Sequence, residues 1–220
     1  RSLDENKLIV CLDAGHGGKD NGSDYRLRYE KNDNLKITQA VAAYLADKEN
    51  IQVIMTRSDD TFLSLEERTS FANQNNADYF VSLHRNTGEG NGVETWIRSD
   101  ADDKTQALAK NIMDNLDAAG ISRNRGVKKG TQKSESKDYY VNLHTNMPAC
   151  IVELGFMNSP TDNQLFDANV ENYAKAIGDA VLKTYEAYGK DGADATESVE
   201  DVPGTEEQIS TETGEGTTGQ

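Results

Sequence analysis

The chain has little of what marks several protein classes. It has no run near the roughly 20 apolar residues that a membrane span needs, and no basic stripe or polybasic segment for nucleic acid or anionic lipid. Two cysteines, Cys11 and Cys150, are too few for a disulfide framework. Each lies in an apolar, strand-like run and reads as a small buried hydrophobe, with a bridge possible only if the two strands are neighbours. Apolar residues make up 35% of 220, and the formal net charge is -15. That charge is uneven. From Asp191 onward there are nine acids and no Lys or Arg, so the remaining 190 residues carry about -6. No internal repeat at solenoid spacing is present.

What is present centres on residues 8–23, LIVCLDAGHGGKDNGS. Leu8 to Leu12 read as a strand buried on both faces of a parallel sheet. The glycines after it free the backbone, so His16 can stand at the carboxyl edge, where ligands bind in open α/β sheets. His16 is thus a candidate metal ligand or catalytic base, although a histidine after a strand is also a common structural hydrogen-bonder.

Downstream, residues 32–50 carry a helical stripe of Leu35, Ile37, Val41, Tyr44 and Leu45, with Glu30 in the loop leading in. A second strand is expected over 51–56. A helix capped by Ser64 with Glu67 follows, then a strand over 78–84 that also ends in a histidine, His84. Residues 92–97 read as a strand. The next helix is capped by Asp102 or Asp103, carries Leu108, Ile112 and Leu116, and stops at Gly120. Residues 121–137 read as a long basic loop, 138–141 as a short strand, and 148–156 as a buried strand ending at Glu153. Pro160 opens a short helix and Asn169 caps a last one. Alternating strands and helices predict a single α/β domain over residues 1–189, its sheet mostly parallel with helices on both faces. Residues 190–220 read as a disordered acidic tail or linker.

Two imidazoles and a carboxylate with an open fourth position make a catalytic zinc site, and no cysteine is placed to compete. His16, Glu30 and His84 supply that set. Glu153 ends a strand at the same edge, where a carboxylate needs a function to justify its desolvation. Beside a zinc-activated water it would serve as proton acceptor and donor. Spacing alone is a weak signal, since 14 and 54 residues separate the three ligands.

Four blocks then carry a resemblance: LDAGHGGKDNGS, EKNDNL from Glu30, FVSLHRN, and MPACIVELGFMNSPTDNQLF. Together, over roughly residues 7–188, the chain resembles the zinc-dependent N-acetylmuramoyl-L-alanine amidases of the type 3 amidase family, cell-wall hydrolases and related phage endolysins. The resemblance implies a mixed sheet of about six strands. It implies one zinc ion held by His16, Glu30 and His84, with Glu153 as acid/base. The implied reaction is hydrolysis of the amide between N-acetylmuramic acid and L-alanine of the peptidoglycan stem peptide, by a secreted, monomeric enzyme at the cell wall. A removed signal peptide would account for the start at Arg1. Rival readings are a non-catalytic peptidoglycan-binding module and a zinc peptidase acting within the stem.

Further expectations concern the surroundings. Asp13 and Asn86 are candidates to orient the histidines, and Glu94 to touch substrate. Trp96 reads as a core residue and His144 as a loop residue. The basic residues Arg123, Arg125, Lys128, Lys129 and Lys133 read as a solvated loop, or as a grip on stem-peptide carboxylates. Three features depart from the family pattern. Residues 23–29 are rich in Tyr and Arg, Arg85 follows His84, and Tyr140 to His144 lack the usual arginine. The short connection from Trp96 to Leu108 leaves no room for the blocking helix of some relatives, which predicts an open site.

Overall fold

A computed structural model of the chain describes residues 7–190. The acidic tail lies outside the described residues. Strands β1 (Leu8–Ala14), β2 (Asp24–Tyr25) and β3 (Arg28–Tyr29) precede helix α1 (Glu30–Ala46) and β4 (Ile51–Met55). Then come α2 (Leu65–Gln74), β5 (Tyr79–Asn86), β6 (Val93–Ile97), α3 (Asp103–Ala118) and β7 (Asn124–Lys129). The last elements are α4 (Tyr140–His144), β8 (Ala149–Phe156) and α5 (Pro160–Tyr188). Six strands form one sheet in the order β4-β1-β5-β8-β6-β7, and β2 and β3 form a separate hairpin. β4, β1, β5 and β8 are mutually parallel; β6 is antiparallel to β8, and β7 is parallel to β6. This is the expected single α/β domain with a mixed, mostly parallel sheet.

Both faces are covered, but unequally. Leu8, Val10 and Leu12 of β1, Tyr79, Val81 and Leu83 of β5, and Cys150, Val152 and Leu154 of β8 point to one side. There they pack against Ile37 and Val41 of α1, Leu108 and Ile112 of α3, and Phe166 and Ile177 of α5. The alternate residues, Ile9, Cys11, Phe80, Ala149, Ile151 and Trp96, face the short helices α2 and α4 through Ala72 and Val141. Strand side chains alternate between faces, so each strand divides its residues between a large core and a small one. The small one leaves the carboxyl ends of the strands open.

Several local expectations change. Residues 121–137 contain edge strand β7, whose NRGVKK sequence lacks an apolar stripe. Residues 138–141 are not a strand: Tyr140 opens the one-turn helix α4 instead. The two C-terminal helices are as expected: together they make up α5 and meet at a kink at Asn169, whose φ -125° and ψ 19° are not helical. Residues 24–29 form the β2–β3 hairpin. Arg85 turns inward beneath Phe166 and donates to Asp33 at 2.5 Å, so its departure from the family pattern serves packing of the domain. Among the described residues no helix is long and apolar enough to cross a membrane.

Cys11 and Cys150 are buried and free. They sit on β1 and β8 with β5 between them and project to opposite faces, so no bridge forms. Burial pushes the Cys150 thiol up to about 12, and burial with the charge of Asp13 pushes Cys11 higher still. The thiolate is the reactive form. Titration with an aromatic disulfide reagent should therefore find no reactive thiol in the native protein and two in denaturant. One rapid equivalent without denaturant would contradict this packing.

Candidate metal centre

β1 delivers its chain to a glycine loop, and the loop is shaped by what must fit around it. A Cβ at Gly15 would stand 2.0 Å from Cε1 and 2.3 Å from Nε2 of the His84 imidazole. One at Gly22 would stand 2.6 Å from both Glu30 Oε2 and His16 Cδ2. At both positions the glycine vacates space that a candidate ligand occupies. His16 adopts φ 62°, a left-handed conformation that a non-glycine residue enters at a cost of about 1 kcal/mol or more. The loop is held by guanidinium groups. Arg68 donates to Ala14 O and His16 O, and Arg57 donates to Ala14 O, Gly15 O, Lys31 O and Asp59 O.

Glu30 is the first residue of α1, not a loop residue leading to it. Its carboxylate lies between the two imidazoles. Oε2 is 3.3 Å from His16 Nε2, and Oε1 is 3.0 Å from His84 Nδ1. The backbone N–H groups of Ser23 and Arg85 and the amide of Asn34 also donate to it. One ligand atom from each of His16, Glu30 and His84 lies within 4.8 Å of the others. Donors about 2.0–2.2 Å from a tetrahedral zinc lie roughly 3.3–3.6 Å apart; the cluster is close to that spacing, and its N/N/O chemistry suits the ion. The Glu30 side chain is only 3% exposed, whereas those of His16 and His84 are 27% and 20% exposed. The cluster is thus backed by protein and faces solvent, as the predicted open site requires.

The charges are set accordingly. Burial opposes ionisation of Glu30, but hydrogen bonds and charge from His16 and His84 hold it well below the carboxylate range. Burial also works against a charged His16. Glu30 and Asp20 outweigh it and raise the imidazole to about 9.

β5 and β8 place His84 and Glu153 as register partners. Both lie inside their strands, which run on to Asn86 and Phe156. Glu153 lies at the floor of a cavity of about 760 Å³, also lined by His16, Phe62, Leu65, Tyr139 and Tyr140. Its Oε2 is buried with no hydrogen-bond partner. Burial foremost, with the charges of Glu30 and Glu94, pushes its carboxyl up to about 7 against the pull of the histidines.

The orienting groups differ from those expected. His16 Nδ1 bonds Asp20 Oδ2 at 2.8 Å, and His84 Nε2 bonds Ser82 Oγ at 3.1 Å. Asp13 reaches His84 only through Ser82. Asn86 instead donates to Glu94. Glu94 is buried, accepts also from Trp96 Nε1 and Arg125 Nε, and faces protein rather than the cavity. Asp20 lies four residues after His16 in a turn, and that proximity was a usable signal. Ser82, in an apolar strand, carried none. Trp96 is core, and His144 ends α4 stacked on Tyr140, outside the ligand cluster. Arg125 is paired with Glu94, while Lys128 and Lys129 sit on the edge strand.

Comparison with known proteins agrees with this geometry. A family model described as N-acetylmuramoyl-L-alanine amidase matches residues 10–183. The uncharacterized protein YqiI of Bacillus subtilis is 36% identical over 182 residues, covering 81% of this chain and 84% of that protein. The sporulation-specific N-acetylmuramoyl-L-alanine amidase of the same organism is 31% identical over 154 residues, or 70% of this chain. The match spans 58% of that longer relative. The crystal structure of an N-acetylmuramoyl-L-alanine amidase from Clostridium difficile 630 superposes with a TM-score of 0.78 at 32% identity, covering 84% of this chain and all of that one.

Two outcomes follow for the cluster. Gly15→Ala should displace the His84 ring and lower zinc affinity at least tenfold, measured by competition with a chromophoric chelator; unchanged affinity would mean the ring is not fixed there. His16, protonated up to about 9 in the metal-free protein, must lose its proton on coordination. Below that pH the apparent zinc affinity should fall about tenfold per unit, with one proton released per ion in calorimetry across buffers of different ionisation heat. Affinity flat between pH 6 and 8 would contradict it.

Proposed function

The chain belongs to the N-acetylmuramoyl-L-alanine amidase family, hydrolases of cell-wall peptidoglycan, and we propose that it cleaves the amide between the lactyl group of N-acetylmuramic acid and L-alanine of the stem peptide in a zinc-dependent reaction. His16, Glu30 and His84 hold one ion per chain, and Glu153 is the acid/base. The protein acts as a secreted monomer at the wall. The observation that carries this reading is the unpartnered, buried Oε2 of Glu153 beside a three-donor cluster that faces an open cavity.

Zinc, when bound, supplies a Lewis acid that acidifies water and polarises a carbonyl. The chain's own residues do the rest. Glu30 and the two imidazoles occupy three positions from the protein side, leaving the solvent side for water and substrate. Glu153 receives the proton of the attacking water on its carboxylate and returns it to the departing alanine nitrogen. A carboxyl held at about 7 exchanges protons in both directions near neutral pH, which suits one group to both steps. The cavity walls, which include Phe62, Leu65, Tyr139 and Tyr140, exclude water around the scissile amide and orient it. Lys128 and Lys129, in register with Trp96 and Ile97, offer cations for stem-peptide carboxylates at the sheet edge.

Digestion of purified peptidoglycan followed by mass spectrometry tests the reading. The expected products are intact glycan strands and stem peptides beginning at L-alanine. Glu153→Gln should lower kcat by about 10²–10⁴-fold, the range for loss of a positioned acid/base, while zinc content stays at one per chain. Shortened stems still attached to muramic acid would make the protein a peptidase. Wall binding without release would make it a binding module.

A further inference from the structure

Beneath the His84 imidazole lies a row of polar groups that the reaction above does not use. Ser82 stands two residues earlier on β5, on the same face, and is fully buried. Its Oγ is 3.1 Å from His84 Nε2 and 2.6 Å from Asp13 Oδ2. Asp13 is its register partner on β1. The other carboxylate oxygen of Asp13 accepts from Thr56 Oγ1 at 2.6 Å and from Arg68 Nη1 at 2.7 Å. Asp13 and Arg68 are as deeply buried as the serine.

The hydrogens in this row can be counted. Burial disfavours a charged Asp13, but the Arg68 guanidinium, together with hydrogen bonds from Ser82, Thr56 and Arg68, holds its carboxyl below the usual range. A carboxylate only accepts, and a serine hydroxyl has one hydrogen. That hydrogen lies between Ser82 Oγ and Asp13 Oδ2. Toward His84 the serine offers only a lone pair, so Nε2 is the donor across the 3.1 Å contact. With Nε2 committed as a donor to the serine, Nδ1, which lies 3.0 Å from the Glu30 carboxylate and faces the cluster, is the nitrogen that can give up its hydrogen and offer a lone pair to a metal.

We infer that Asp13 and Ser82 are positioning residues that lock His84 in its Nε2–H form and reserve Nδ1 for the metal. The inference rests on the zinc reading of the cluster. His16 is arranged in the opposite sense. Its Nδ1 bonds Asp20, whose side chain is 44% exposed, and its Nε2 faces Glu30. The two ligands therefore present different nitrogens. One is fixed by a buried relay, the other by a partner open to water. Orienting partners of metal-bound histidines typically change metal affinity 10–100-fold, and the buried one should matter more, because solvent replaces Asp20 but not Ser82.

The test uses the zinc-loaded full chain labelled with ¹⁵N. Two-bond ¹H–¹⁵N spectra distinguish protonated from metal-bound ring nitrogens. His84 should show Nε2–H with Nδ1 bound, and His16 the reverse. Ser82→Ala should weaken zinc binding 10–100-fold and Asp20→Asn less, by chelator competition, with folding checked by circular dichroism. Ser82→Thr keeps the hydroxyl and should restore affinity to within a few-fold. Metal on Nε2 of wild-type His84, or a folded Ser82→Ala with wild-type affinity and the same tautomer, would overturn the inference. Zinc binding unaffected by His16→Ala as well would remove the metal reading, and the relay with it.

Discussion

The Glu30 carboxylate is the group on which the rest of the site depends. It is a buried anion at the first position of α1, where the helix dipole favours negative charge. Three donors converge on its two oxygens, the amides of Ser23 and Arg85 and the Asn34 side chain, and one nitrogen of each imidazole lies within 3.3 Å of them. Those groups come from the glycine loop, α1 and β5, so one side chain ties together the three segments that bring the candidate ligands. Left alone, such a carboxylate would be strongly penalised by desolvation. Surrounded as it is, it stays charged, and it supplies the anionic member of the N/N/O donor set.

Sheet alternation explains why the candidate reacting groups share one side. Along β1 the small-core residue Cys11 is followed at period two by Asp13. Along β5, Phe80 is followed by Ser82 and His84, and along β8, Ile151 by Glu153. Each strand thus continues its small-core stripe into polar groups as it nears the carboxyl edge. α2 and α4 have 10 and 5 residues against 17, 16 and 29 for α1, α3 and α5. The short pair covers the apolar part of that stripe and stops before the polar part. A one-residue slip in β5 would send His84 into the large core and bring Leu83 to the cavity.

The same alternation decided what the sequence could reveal. His16, His84 and Glu153 were legible because each interrupts or follows a largely apolar run, where a large polar side chain stands out. The sheet class was legible from the alternation of strands and helices. The start of α1 was misplaced because Tyr29, its N-cap, makes no side-chain cap bond, so no Ser, Thr or Asp marked the boundary. β7 was hidden for a different reason. It is an edge strand with a register shift opposite Glu94, held by backbone pairing and the Arg125–Glu94 contact, and neither leaves an apolar period to read. α4 is too short to show a helical period. Ser82 was silent because a small polar residue within an apolar strand has no pattern to break; only the proximity of Asp13 and His84 in space gives it a role.

The acids of this region differ in how their charge is balanced, and the difference singles out one of them. Asp13 is paired with Arg68, Asp33 with Arg85 and Arg28, and Glu94 with Arg125. Glu30 has both imidazoles. Glu153 has none of these: no ion pair reaches it, and it is the one carboxylate among the described residues with a buried, unpartnered oxygen. A fold with several arginines in the vicinity has directed them to the neighbours of Glu153 and left Glu153 itself unmatched. An arginine there would hold the carboxylate ionised and occupied, unable to accept or return a proton near neutral pH. Leaving it bare costs stability through desolvation, and the raised carboxyl is the physical expression of that cost. Such a cost is tolerable in a domain whose other buried charges are satisfied, and it falls where an acid/base group would be needed.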